Sequence, residues 1–141
     1  MGEVEAMINR HEKFGIKQLS DHFWLHEFRC RCRIDTCNKT LIDTDLIGYL
    51  EDKRAEINKD NSVEKPVIVL SGYRCRFYNK IVGGAQFSQH LEGKAADIWV
   101  PGQSMVGMAD KYFYDAHGLG IYFANNYLHV DVRPSRARWS K

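Results

Sequence analysis

The sequence lacks the features that mark several large classes of protein. No apolar run approaches the roughly 18 residues of a membrane-spanning helix, so we expect no membrane insertion. The N-terminus has no apolar segment of the kind found in secretory signal peptides, which favours a cytoplasmic location in the producing cell. A formal net charge of +2 is too small to argue for nucleic-acid binding, although it mildly favours an anionic polymer as partner. The sequence also contains no internal repeat and no low-complexity segment.

The sequence has the composition of an ordinary globular domain. Its 141 residues are 44% hydrophobic and 27% charged, which is enough for a single domain with a real core. We expect residues 19–141 to form that domain, as a monomer, after an N-terminal arm at residues 1–18. In the arm, Val4, Met7, Ile8 and His11 are spaced to line a short amphipathic helix, and a loosely held arm is the alternative.

The pattern of apolar residues predicts an α+β fold. We expect a small, mainly antiparallel sheet with two to three helices packed against it and a functional site in the groove over the sheet. Helical spacing indicates helices at residues 43–58, 77–81 and 104–116, and Gly118 fits the position just after the last of these. Short apolar or alternating runs indicate strands at residues 67–70, 95–100, 119–123 and 127–133.

The four cysteines allow more than one chemical state. Cys30, Cys32 and Cys37 follow the pattern C-x-C-x-x-x-x-C, and Cys75 stands alone. Without a signal peptide, reduced thiols are the first expectation and a disulfide is the second. A cysteine-rich metal site comes third, because C-x-C is a tighter spacing than the C-x-x-C of usual zinc knuckles.

The stretch at residues 88–97 has the form S-x-H-x-x-G-x-A-x-D. His90 and Asp97 supply a nitrogen and an oxygen ligand, a pair that suits Zn²⁺. Gly93 allows a tight turn between the two. Asp97 falls within an otherwise apolar strand, where a carboxylate costs free energy unless it is paired, hydrogen-bonded or bound to a metal.

A third zinc ligand is available in the strand predicted at residues 127–133. Its polar face holds Tyr127, His129, Asp131 and Arg133. If this strand lies beside the strand of Asp97, His129 and Asp97 can face the same groove. Two histidines and one carboxylate, with an open fourth position, form a catalytic rather than a structural zinc arrangement. On spacing alone, the solvent-facing side of an ordinary antiparallel sheet is the alternative.

Three motifs, in this order, resemble the zinc D-Ala-D-Ala carboxypeptidase family, peptidase family M15. They are the Ser-Gly-Tyr-Arg run that ends at Arg74, the S-x-H-x-x-G-x-A-x-D run and the His-Val-Asp run that begins at His129. The resemblance covers residues 19–139 and is closest to small single-domain members of bacteria and phages. It implies a Zn²⁺ cofactor held by His90, Asp97 and His129.

The same resemblance implies an activity. We expect hydrolysis of a peptide bond in peptidoglycan, by a D-Ala-D-Ala carboxypeptidase or by an endopeptidase of endolysin type. An enzyme of this kind without a signal peptide would reach the cell wall by another route, such as phage-driven lysis.

The resemblance also assigns roles to single residues. It places Arg74 against the substrate near the scissile bond, where its planar fork would stabilise the developing oxyanion. It implies that Tyr73, in the same motif, and Ser88 bind substrate, with Ser88 helping to hold a terminal carboxylate. Considered without the resemblance, Arg74 could form a surface ion pair and Ser88 could simply cap the turn before His90.

The sequence departs from the family pattern at one position. Many members place an Asp or Glu three residues before the second His ligand, whereas this chain has Asn126, which cannot accept a proton. Asp131 is the best substitute as general base and Glu92 is the second choice, but Asp131 could instead orient His129. The departure leaves two alternatives open: a catalytically inactive, zinc-containing wall-binding module, and a structural component of a phage particle.

Overall fold

The computed structural model of the chain describes residues 4–8 and 17–141. Its strands are β1 Val4–Ile8, β2 Thr40–Asp43, β3 Ile68–Ser71, β4 Ala95–Trp99, β5 Gly118–Tyr122, β6 Tyr127–Asp131 and β7 Ala137–Ser140. Its helices are α1 Thr44–Lys59, α2 Arg76–Ile81 and α3 Met105–Lys111, and short 3-10 turns span Leu25–Phe28 and Gln89–Glu92. Within the described ranges, no helix has the length and apolar character needed to cross a bilayer.

A five-stranded sheet organises the fold. Its strand order is β3-β4-β6-β5-β7, with β7 parallel to β5 and the other neighbours antiparallel. A separate antiparallel pair joins β1 to β2. The predicted α+β fold, with a mainly antiparallel sheet and three helices, is confirmed.

The core lies against one face of this sheet. Ala96, Ile98, Leu128 and Val130 alternate with the polar residues of β4 and β6 and are fully buried. Helix α1 adds Leu46, Leu50 and Ile57 to the same hydrophobic cluster. The opposite face of the two central strands is therefore left to carry polar side chains.

Helix α1 begins where the sequence predicts. The side chain of Asp43 accepts a hydrogen bond from the backbone N–H of Asp45, 2.8 Å away, which caps the first turn. The side chain of Asp43 is completely buried and also pairs with Lys94 at 2.6 Å. This pair ties the start of α1 to the chain just after Gly93.

Two predicted boundaries differ from the structure. Helix α3 ends at Lys111 rather than at residue 116, and residues 112–117 form turns. Gly118 does not end a helix; it is the first residue of β5 and lies opposite Asp131. A Cβ atom on Gly118 would be 2.1 Å from the Asp131 carboxylate, so glycine here makes room for a buried acid.

The arm and the two short strands β2 and β7 were harder to predict. Residues 4–8 form a strand rather than the amphipathic helix, because β2 offers a pairing partner that local spacing does not show. His11, assigned to the same helix, lies outside the described residues, and the domain boundary at residue 18 stays a prediction. The C-terminal residues, where we predicted no strand, contain β7, which pairs with β5.

Candidate metal centre and groove

The strand register brings two of the predicted ligands together. Asp97 on β4 lies directly opposite His129 on β6. His90 lies on the second 3-10 turn. Gly93 ends this turn with a φ angle of 71° and redirects the chain into β4, so that Asp97 comes to lie close to His90. A Cβ atom on Gly93 would lie 2.3 Å from the Leu41 carbonyl oxygen, so the predicted tight turn does require glycine.

The three side chains form a compact donor set. Asp97 Oδ1 is 3.2 Å from His90 Nε2 and 3.3 Å from His129 Nδ1. One ligand atom from each residue lies within 4.8 Å of the other two. All three residues are buried, with 2% to 6% of their surface exposed. A carboxylate oxygen and two imidazole nitrogens therefore converge on one point, as the sequence predicts.

His90 is held by its second ring nitrogen. Nδ1 lies 2.7 Å from the carbonyl oxygen of Gly72, and a carbonyl can only accept, so Nδ1 carries the proton and donates. The lone pair of Nε2 then points towards Asp97. Burial lowers the pKa of His90 more than the Asp97 carboxylate raises it, which keeps the ring neutral. A neutral imidazole with a fixed tautomer is the form that binds a metal.

His129 uses its nitrogens in the opposite sense. Nε2 lies 2.7 Å from Asp131 Oδ2 and donates to it, which leaves the lone pair of Nδ1 facing Asp97. Burial opposes protonation of His129, but the hydrogen bond to Asp131 and the negative charge of Asp97 outweigh it and raise the pKa of this ring. A carboxylate behind a ligand imidazole is the usual device that orients the ring and strengthens it as a donor.

Asp131 is itself fixed by Arg133. The Nε and Nη2 atoms of Arg133 donate to the two carboxylate oxygens at 2.8 and 2.6 Å. The Asp131 side chain is completely buried. Burial alone would raise the pKa of Asp131, but the contacts with Arg133 and His129 hold it well below its usual range. Asp131 is therefore a permanent carboxylate.

Arg74 holds the third ligand. Its Nη2 donates to Asp97 Oδ2 at 2.9 Å, and its Nε and Nη1 donate to Ser71 Oγ and Asn79 Oδ1. Burial opposes ionisation of Asp97, but its contacts with His90 and His129 hold its pKa well below the usual range. One oxygen of Asp97 thus faces the histidines while the other is held by a guanidinium.

A groove runs over this donor set. Among the described residues its lining includes Arg74, Ser88, His90, Asp97, Tyr122, Tyr127, His129, Arg133 and Trp139. The Trp139 ring lies 4.9 Å from the His129 ring and its Nε1 donates to the Tyr122 hydroxyl. Burial and the nearby Asp97 charge raise the pKa of Tyr127 to about 12, so its phenol stays protonated.

Some groove residues were not predicted as part of the site. One of them is Trp139, whose ring packs on the ring of His129. The alternation of the Ala-Arg-Trp-Ser run that forms β7 is a weak strand signal. Its parallel pairing with β5 depends on contacts that the sequence does not display.

The remaining predicted site residues occupy different surroundings. Ser88 lines the groove, and its hydroxyl also accepts a hydrogen bond from the His90 N–H, so both proposed roles fit its position. Tyr73 is buried and lies beside Cys37 and Cys75, away from the described groove lining. Glu92 is exposed and is not among the described lining residues either. Asp131 lies behind His129 rather than on the groove surface.

The donor set suits zinc by its chemistry. Zinc prefers imidazole nitrogen and carboxylate oxygen, and in catalytic sites it takes three protein ligands. Here the second nitrogen of each histidine is hydrogen-bonded to an acceptor, and the second oxygen of Asp97 is held by Arg74. The residues present therefore fit a three-ligand zinc centre that opens to a groove.

Comparison with protein families gives a match over most of the chain. A family model described as Peptidase M15 matches residues 21–131, a span that contains His90, Asp97 and His129. A search of curated proteins gives no match.

Proposed function

The chain belongs to the peptidase M15 family, and on this premise we propose that it is a zinc-dependent enzyme that hydrolyses a peptide bond in peptidoglycan. The observation that carries the proposal is the convergence of His90, Asp97 and His129 beneath a groove that also presents Arg74. The family match supports a metallopeptidase, and the family resemblance of the motifs supports peptidoglycan as the substrate.

In this proposal the three buried side chains hold the metal. His90 would bind through Nε2, His129 through Nδ1 and Asp97 through Oδ1, the atoms that already face one another. When bound, zinc supplies a Lewis acid that activates a water molecule and polarises the scissile carbonyl. The buried walls around the donors exclude bulk water and strengthen every charge interaction inside.

Arg74 is proposed to bind the reacting carbonyl. A guanidinium has five N–H donors, and contacts with Ser71, Asn79 and Asp97 use three of them. The remaining donors belong to the two terminal nitrogens of a side chain that lines the groove. They can stabilise negative charge that develops on the substrate oxygen, and the fixed fork makes this contact without further ordering.

Asp131 is better placed to orient His129 than to take a proton from the groove. Its carboxylate is fully buried, and both of its oxygens accept hydrogen bonds from Arg133. We therefore favour the orienting role over the general-base role. In this role Asp131 keeps the proton of His129 on Nε2, and so keeps Nδ1 available for the metal.

The type of bond is the finer part of the proposal. A carboxypeptidase must hold a terminal carboxylate, and the Ser88 hydroxyl on the groove wall is suited to that contact. An endopeptidase must instead let the substrate peptide extend past the site in both directions, and the groove, as far as its lining is described, is open to the surface. The match to a peptidase family favours an enzyme over an inactive wall-binding module or a phage structural component.

Digestion of purified peptidoglycan tests the proposal. We expect the zinc-loaded protein to release peptide fragments and a chelator to stop the release. Mass spectrometry of the fragments identifies the cleaved bond: loss of a single terminal D-Ala indicates a carboxypeptidase, and cleaved cross-links or stem peptides indicate an endopeptidase. A zinc-loaded, folded protein that binds peptidoglycan without cleaving it would contradict the proposal.

A further inference from the structure

The four cysteines meet at one point, although the sequence separates them. Cys30, Cys32 and Cys37 come from the irregular segment at residues 29–39, and Cys75 precedes α2. All four sulfur atoms lie within 4.8 Å of one another. Cys30 is buried and the other three are half-buried thiols rather than disulfides. The fold therefore brings together every cysteine of the chain.

The size of the cluster matches a tetrahedral metal site. With Zn–S bonds of about 2.3 Å, the sulfur atoms of a tetrahedral site are about 3.8 Å apart. The observed cluster is already close to this size. We propose that Cys30, Cys32, Cys37 and Cys75 bind a second zinc ion, in a structural site separate from the groove. Four thiolates fill the coordination sphere, which leaves no position for substrate.

Backbone donors around the cluster fit thiolates. The N–H of Cys75 points to the sulfur of Cys30 at 3.2 Å, and the N–H of Tyr78 points to the sulfur of Cys75 at 3.4 Å. Such donors stabilise negative charge on sulfur, as hydrogen bonds do for other metal ligands. The second of them also caps the first turn of α2.

The charge of the site is balanced by its neighbours. Each thiol loses one proton to solvent when it binds, so a zinc ion with four thiolates carries a net charge of 2−. In the sequence, Arg29, Arg31 and Arg33 alternate with Cys30 and Cys32. The Arg31 side chain is held in place by hydrogen bonds to the carbonyls of Glu27 and Val69. The Arg31 guanidinium also interacts electrostatically with Cys30, so a fixed positive charge lies close to one of the four cysteines.

The ion would fasten the irregular segment to the edge of the active groove. Residues 29–39 contain neither helix nor strand. Cys75 directly follows Arg74, whose backbone N–H donates to the His90 carbonyl at 3.1 Å. A metal held by the four sulfurs would link these two parts of the chain. A single disulfide would use only two of the four sulfurs and would not account for the convergence of all of them.

Metal analysis of the unmodified protein tests this inference. We expect about two zinc ions per chain by mass spectrometry of the metal content. Replacement with Co²⁺ should give the intense visible and near-ultraviolet absorption of a cobalt–thiolate centre. The absence of thiolate absorption after Co²⁺ loading, whether the protein holds one metal ion or two, would overturn the inference. So would a disulfide between any two of the four cysteines in protein purified without oxidant.

Two variants assign the ions. Cys37→Ser should lower the zinc content by about one and remove the thiolate absorption, whereas the neighbouring, exposed Thr36→Ala should change neither. His129→Ala should lose the other ion and keep the thiolate absorption. If the unmodified protein shows the thiolate absorption but holds no groove ion, the proposed function is refuted and this inference stays intact. If Cys37→Ser does not fold, the Co²⁺ spectrum of His129→Ala decides, because only the cysteine site can then give thiolate absorption.

Discussion

The two clusters of candidate metal ligands in this chain are built on different kinds of backbone. The cluster of His90, Asp97 and His129 is set by paired strands and a glycine turn, and hydrogen bonds fix the outer atoms of all three side chains. The cysteine cluster is set mainly by a segment without regular structure. The first geometry is imposed by the sheet and can persist without metal. The second has far less secondary structure to hold it.

The most damaging change removes a groove ligand. His129→Ala should reduce peptidoglycan hydrolysis to the level of the chelated protein, because the described part of the chain brings no further metal-binding side chain to this cluster. The thermal midpoint should change little by comparison, since the hydrogen-bonded β4–β6 pairing remains. Activity, metal content and circular dichroism check this together. Unfolding of His129→Ala would show that the sheet does not impose the geometry, which would break the comparison.

The next effect concerns Arg74. Arg74→Ala should lower kcat/KM by about 10²-fold or more, the scale of losing one donor to an oxyanion. Arg74→Lys should recover little, because an ammonium cannot make three directed contacts and still reach substrate. Because Arg74 also holds Asp97, zinc affinity must be measured alongside turnover. Unchanged turnover in Arg74→Ala would show that Arg74 forms only an ordinary ion pair with Asp97 and does not contact the substrate.

A smaller effect is expected for Asp131. Asp131→Asn keeps the shape but weakens the hold on His129, so zinc affinity should fall by about 10- to 100-fold and activity should recover with added zinc. Glu92→Gln is the control and should leave both unchanged. If Asp131 is the general base instead, zinc content stays near that of the unmodified protein and the rate falls by roughly 10²- to 10⁴-fold even at high zinc.

The smallest effect compares two glycines with positive φ. Gly93→Ala and Gly102→Ala both place a side chain in the left-handed region, which costs about 1–2 kcal/mol. A Cβ atom on Gly102 meets nothing within 4 Å, whereas one on Gly93 meets the Leu41 backbone. Gly93→Ala should therefore lower the free energy of unfolding, measured with denaturant, by about 1–3 kcal/mol more than Gly102→Ala does. Equal losses of unfolding free energy in the two variants would mean that the turn at Gly93 can shift without disturbing β2.

The sequence was sufficient for the parts of the molecule that follow local periodicity. Alternation along β4 and β6 placed Asp97 and His129 on one face, and the cap at Asp43 located the start of α1. It was not sufficient for contacts between distant segments. Spacing could not show that Cys75 joins Cys30, which lies 45 positions earlier, or that Tyr73 turns away from the groove.

The ambiguity over Asp131 has a physical cause of the same kind. A residue two positions from His129 shares its strand face, and the sequence cannot say whether it lies beside the groove or behind the ring. Gly118 decides this, because its missing side chain leaves the space that the carboxylate fills. The partner that opens that space lies on the neighbouring strand.

The pairing of β7 with β5 has a consequence for how the protein is made. Trp139 is synthesised after the three proposed groove ligands, ten residues beyond His129, and its ring packs on His129 while its N–H donates to the Tyr122 hydroxyl. A nascent chain that has not yet released residues 137–140 from the ribosome lacks this wall of the groove. The three candidate ligands are therefore already part of the growing chain while the groove is still incomplete. The groove gains its last wall when β7 pairs with β5.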